Sequence, residues 1–141
     1  MRRVFVDANV LMAGADSRSG ASHVVLRLAE AGLFRLVVCR QVLDEAERNL
    51  RKKLPRALPA FAALLAELPL EIVADPDDES CQQWAGVIER KDTPILAAAV
   101  DAQVDRLITL NTRDFTPAVA KASGLRIQTP GRGIWGCWEG I

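Results

Sequence analysis

The sequence has one histidine, three cysteines, no net charge and no long apolar run, and each shortage removes a class of function. A reaction divided between two histidines, one acting as acid and one as base, cannot be built from His23 alone. His23 lies in a stretch with helical spacing, where it reads as structural. Cys39, Cys81 and Cys137 are odd in number and lack metal-like spacing. That argues against a disulfide framework or a zinc site and for reduced thiols in the cytosol. Eighteen basic and eighteen acidic side chains cancel, so any attraction to nucleic acid must be local. The longest uncharged apolar run, 57–66, is far short of the roughly 20 residues that span a bilayer. No membrane segment is expected. Met1-Arg2-Arg3 and the apolar residues after it resemble the start of an export signal, but Asp7 interrupts them after three residues. The expectation is therefore a cytoplasmic protein without an export signal. No internal repeat or low-complexity segment is present.

What remains is a chain of 141 residues, half apolar and about a quarter charged, which fits one globular domain with a substantial core. Five short runs rich in β-branched or aromatic residues, at 4–6, 36–39, 70–73, 106–110 and 125–127, are strand candidates. Helical spacing fills 21–31, 41–54, 57–68, 79–90 and 94–104. A further helix is expected near Val10, and Thr116-Pro117 reads as a cap and first helical residue. Strands that alternate with helices predict an α/β fold with a parallel sheet made from crossover units. Thr129-Pro130-Gly131-Arg132-Gly133 is a break. It divides a domain at 1–128 from a tail at 129–141, where Ile134, Trp135, Trp138 and Ile141 either pack back or meet a partner.

Four acidic residues occupy positions that invite chemistry, although each also has a structural explanation. Asp7 ends the first strand, where open parallel sheets gather ligands, and is equally suited to cap the helix that follows. Glu45 flanks the apolar stripe of helix 41–54 beside Arg48, Asn49 and Lys52, an arrangement that also describes a solvated face. Asp92 stands at the start of a helix apolar on nearly every side, where it or Thr93 also fits as a cap; Asp101 is the alternative to it. Asn111 and Asp114 lie in a loop after a strand, which also reads as a turn. Two carboxylates ~5 Å apart repel by roughly 3 kcal/mol at an effective dielectric near 20, so convergence of several calls for a cation. An all-oxygen set without a matching His or Cys group favours Mg²⁺ or Mn²⁺ over zinc. Arg48, Arg51, Lys52, Lys53 and Arg56 put five cations into nine residues. They are either a solvated face or a local surface for phosphates.

Val6-Asp7-Ala8-Asn9-Val10-Leu11, Glu45 on its helix, Asp92-Thr93-Pro94-Ile95-Leu96-Ala97-Ala98-Ala99 and Leu107-Ile108-Thr109-Leu110-Asn111-Thr112-Arg113-Asp114-Phe115 together resemble a PIN domain. More narrowly, the chain resembles the VapC-like toxins of bacterial toxin-antitoxin systems, over about residues 2 to 128. The resemblance implies a three-layer fold with a central twisted parallel sheet of about five strands flanked by helices. It also implies an endoribonuclease that binds Mg²⁺ or Mn²⁺ through Asp7, Glu45, Asp92 and Asp114. Asn9 and Asn111 match supporting polar positions, and Thr112 would orient water or phosphate. Some PIN domains carry Asp where this chain has Asn111, which weakens the case for a second tightly held ion. A cognate antitoxin and a homodimer are further expectations, and a short upstream reading frame would favour the toxin. The alternative is a PIN-fold RNA- or protein-binding module with weak or no catalysis. Haloacid-dehalogenase-like phosphatases fit less well, because they expect an acid where Asn9 stands. Receiver domains fit less well too, because they expect adjacent acidic residues after the first strand.

Overall fold

In a computed structural model, residues 1–132 are described, and the Trp135 and Trp138 portion of the tail lies outside them. The chain runs β1 (Arg3–Val6), α1 (Ala8–Asp16), α2 (Ala21–Glu30), β2 (Arg35–Cys39), α3 (Arg40–Lys53) and α4 (Leu58–Glu67). It continues through β3 (Glu71–Val73), α5 (Asp78–Gln82), α6 (Thr93–Asp101), β4 (Arg106–Ile108), α7 (Pro117–Ser123) and β5 (Arg126–Gln128). Single 3₁₀ turns at Pro55–Ala57 and Arg90–Asp92 lead into α4 and α6.

All five strands are parallel, in the order β3-β2-β1-β4-β5. Register is set by apolar partners such as Val4 with Leu36, Val6 with Ile108 and Leu107 with Ile127. Val4, Phe5, Val6, Leu36, Val37, Val38, Leu107 and Ile108 are fully buried. A central parallel strand is covered on both faces, which is why these strands read as continuous apolar runs rather than alternating ones. Right-handed crossovers put helices on one face while the chain moves from β1 to β3, and on the other when it doubles back to β4 and β5. Accordingly α1 to α4 pack on one another and α5 packs on α6. Reversal of direction around β1 makes a topological switch point, the place where ligands enter a doubly wound sheet. The carboxyl ends of β1 and β4 meet there.

Two elements depart from the sequence reading. The helix expected over 79–90 ends at Gln82. Its N-cap Asp77 accepts from the Ser80 amide at 2.8 Å, but Gly86 adopts a left-handed φ of 82° and Ala85, Gly86 and Val87 stay exposed. The left-handed Gly86 interrupts the helical run, and Trp84 and Ile88 reach the core from the turns around it rather than from a helix face. The strand expected over 106–110 ends at Ile108, because Thr109 to Asp114 turn to serve one another's hydrogen bonds.

Candidate metal and nucleic-acid site

Asp7 follows the last residue of β1, and its backbone continues the ladder by donating to the Ile108 carbonyl at 3.2 Å. One carboxylate oxygen, Oδ1, accepts from the Ala8 amide at 2.7 Å and caps α1. The other, Oδ2, accepts from the Thr109 hydroxyl at 3.0 Å and, more weakly, from the Asn9 amide at 3.5 Å. The capping and cleft positions proposed for Asp7 are thus compatible. Burial raises its pKa, while the Ala8 amide and the Thr109 hydroxyl pull it back. Asn9 ties the two strand ends together by accepting from the Leu110 amide at 3.1 Å.

Asp92 closes the 3₁₀ turn before α6 and is 9% exposed. Neither it nor Thr93 caps α6 through a side chain; the Thr93 hydroxyl donates instead to the Arg90 carbonyl at 2.8 Å. Asp92 Oδ2 is buried without a hydrogen-bond partner. Burial is the chief reason its pKa rises to about 6, followed by the facing Asp114 carboxyl and the charge of Asp7, against which Lys91 acts. Asp101, the alternative on α6, is exposed and does not line the cleft.

Glu45 is half-buried on α3, and its pKa is raised by burial and by Asp7, with Arg48 opposing. Gln41, Glu45, Asn49 and Lys53 form a stripe at i, i+4, i+8 and i+12 along one wall of a cleft of about 340 Å³. Its floor holds Asp7, Asn9 and Asp92, and Lys91 and Asn111 complete the rim. Asp7, Glu45 and Asp92 are therefore brought together.

Asp114 is the outlier. Its Oδ2 accepts from the Asn111 side-chain amide at 3.1 Å, and its own backbone amide donates to Asn111 Oδ1 at 3.3 Å. The Asn111 bond is the main cause of its lowered pKa, with Asp92, Lys91 and Arg113 adding to it. Asp114 thus stands behind Asn111 and faces Asp92, but does not line the cleft. Thr112 is exposed and lines a neighbouring groove with Phe115 and Arg132. Of the five cations read from the sequence only Lys53 lines the cleft; Arg51 is paired with Glu47 at 2.8 Å, and Arg48, Lys52 and Arg56 are exposed outside it. His23 donates from Nδ1 to the Gly14 carbonyl, 2.9 Å away, between α1 and α2, in keeping with a structural role.

Sequence reading overlooked Thr109 and Lys91. Thr109 is 1% exposed, and its hydroxyl both donates to Asp7 and accepts from the Asn111 amide at 3.0 Å, joining the ends of β1 and β4. The signal for it was a hydroxyl residue directly after an apolar strand. Lys91 carried no signal beyond its position next to Asp92.

The donor set is all oxygen, and one of those oxygens is buried without a partner, which is the chemistry of a hard divalent cation rather than zinc. As arranged, however, no three His, Cys, Asp or Glu side chains among the described residues close around one point. Asp7 and Asp114 are each engaged by local donors instead.

Residues 3–113 match the family model described as PIN domain, and the chain belongs to that family. No curated protein matches at the level of sequence. Among solved structures, the fold is similar to PAE2754 from Pyrobaculum aerophilum, with 15% identity, a TM-score of 0.64, and coverage of 94% of this chain and 88% of that one. VapBC2 from Rickettsia felis, solved bound to a DNA fragment from their promoter, is 17% identical with a TM-score of 0.63, over 90% of this chain and 98% of that one. VapC20 from Mycobacterium tuberculosis, a toxin that cleaves the sarcin-ricin loop, is 18% identical with a TM-score of 0.56, over 84% and 94%. The five-stranded parallel sheet with helices on both faces is thus the PIN fold in its VapC-like form.

Proposed function

We propose that the protein is a metal-dependent endoribonuclease that hydrolyses RNA phosphodiester bonds, and the toxin of a toxin-antitoxin pair. The observation that carries this reading is the meeting of Asp7, Glu45 and Asp92 at the switch point, with Asp92 Oδ2 buried and unpartnered. Asp7, Glu45 and Asp92 would hold Mg²⁺ or Mn²⁺, and Asp114 would act through its contact with Asp92. When bound, such an ion polarises a phosphoryl oxygen and acidifies water. The protein's own residues orient and attract. Thr109 and the Ala8 amide fix the Asp7 carboxylate, Asn9 ties the two strand ends together, the Asn111 backbone amide braces the Thr109 hydroxyl, and Lys53 offers a positive charge to an RNA phosphate from the α3 wall. Arg48, Arg51, Lys52 and Arg56 extend that charge outside the cleft.

Family membership and the fold shared with VapC toxins support this activity, and the VapBC2 structure supports a cognate antitoxin; the bounds 1–128 and a homodimer are part of the same proposal, taken from the family resemblance. The discriminating experiment is Asp7→Asn, checked for folding by circular dichroism. Mg²⁺-dependent cleavage of RNA should fall at least 100-fold, corresponding to about 3 kcal/mol of lost transition-state stabilisation. Undiminished cleavage would sink the assigned site, whereas no cleavage by the unmodified protein would leave the binding-module reading.

A further inference from the structure

We infer that Lys91 is a substrate-holding residue that grips an RNA phosphate across the cleft from Lys53. The inference rests on the ribonuclease reading above. The two lysines stand on opposite walls, one on α3 and one on the turn before α6, above a floor of carboxylates. Such a floor repels phosphate, so a strand laid across it has to be held from the walls.

Lys91 is built for this, with a fixed base and a loosely held tip. Its backbone sits in the 3₁₀ turn Arg90–Asp92, pinned by the Thr93 hydroxyl on the Arg90 carbonyl and by the Asp92 amide on the Glu89 carbonyl at 2.9 Å. Its side chain is 66% exposed, and Nζ lies 3.7 Å from Asp114 Oδ2, too far for a hydrogen bond. Asp114 already accepts from Asn111 at that oxygen, so Lys91 leaves it at little cost. Lys53 makes no ion pair among the described residues. A pair of spaced anions satisfies both lysines, and successive phosphates of a single RNA strand are such a pair. Because an ammonium is a point charge, this grip positions the backbone without selecting bases.

The experiment compares Lys91→Gln, Lys91→Arg and, as a remote control, Lys121→Gln on α7. Cleavage kinetics on a single-stranded oligoribonucleotide are measured with Mg²⁺, and binding against salt is measured in the Asp7→Asn background. Lys91→Gln should raise KM about threefold to tenfold with kcat little changed, and lower the slope of log affinity against log salt by about 0.7, the value for one phosphate contact on a single strand. Lys91→Arg should restore both, and Lys121→Gln should move neither. An unchanged KM and salt slope in Lys91→Gln overturns the inference. So does a loss confined to kcat that Lys91→Arg fails to restore, since Lys91 would then act only by holding Asp114. If the unmodified protein neither binds nor cleaves RNA, the ribonuclease reading fails first; if it does both and Lys91→Gln is indistinguishable from it, only the Lys91 inference fails.

Discussion

A carboxylate that is buried with one oxygen unpartnered, as in Asp92, is disfavoured in its charged form, and the fold therefore retains a proton that the unfolded chain would release. With a folded pKa near 6 against an ordinary 3.8, Asp92 contributes stability that is full below about pH 4 and lost as pH rises to 6. Burial moves Asp7 and Glu45 in the same direction. Asp114 runs oppositely: its lowered pKa adds stability above its ordinary value, lost as pH falls through the folded one. Asp92→Asn should therefore stabilise the metal-free protein at pH 7.5 by roughly 1 kcal/mol, less than the full linkage value because Asp114 shares the interaction. At pH 4 the gain should vanish. For the same reason, Mg²⁺ should raise the thermal midpoint of the unmodified protein more at pH 7.5 than at pH 5, and EDTA should reverse the rise. Calorimetry showing equal shifts at both pH values would disconnect these carboxylates from the ion. Asp7 and Asp92 were legible in the sequence because strand-end and helix-start positions are local. Thr109 was not, since its importance comes from a contact 102 residues away.

At the scale of elements, the position of the site depends on how α1 is seated, because Asp7 caps it. Gly14 on α1 allows α2 to come close: a Cβ there would lie 2.4 Å from Leu26 Cδ1 and 3.3 Å from Cγ. Leu26 is fully buried and has little room to retreat. Gly14→Ala should therefore destabilise the fold by about 1–3 kcal/mol, the usual range for overpacking. Urea unfolding would register this as a lower midpoint with unchanged slope, whereas an unaltered midpoint would mean that Leu26 turns aside freely. The α3 stripe shows what helical spacing does and does not reveal. Periodicity placed Glu45 beside Asn49, but Lys53 rather than Lys52 faces the cleft, because the rotation of a helix is fixed by what it packs against. The shortened α5 teaches the complementary lesson, for residues 83–89 carry some helical spacing, yet Gly86 turns left-handed and Trp84 and Ile88 meet the core from turns.

For the molecule as a whole, strand order accounts for why residues far apart in sequence form one site. The chain passes from β1 through β2 to β3 and only then crosses to β4, so Asp7 and Thr109 become neighbours across the switch point. On the toxin reading, expression of the chain should arrest growth of a bacterial host, and Asp7→Asn should not. Coexpression of a short protein encoded beside it should relieve the arrest. Growth unaffected by well-expressed, folded protein would remove the toxin reading while leaving ribonuclease activity to the test in vitro.

The alternation of β-branched runs with helical periods was sufficient for an α/β fold, because hydrophobic period is a local property. Motif order was sufficient for family membership. Only the tertiary structure decided which polar groups share a cleft. Side-chain convergence depends on strand order and helix rotation, both set by long-range packing: hence Asp114 stands behind Asn111, Thr112 turns to another groove, and Lys91 enters the cleft from the wall opposite Lys53.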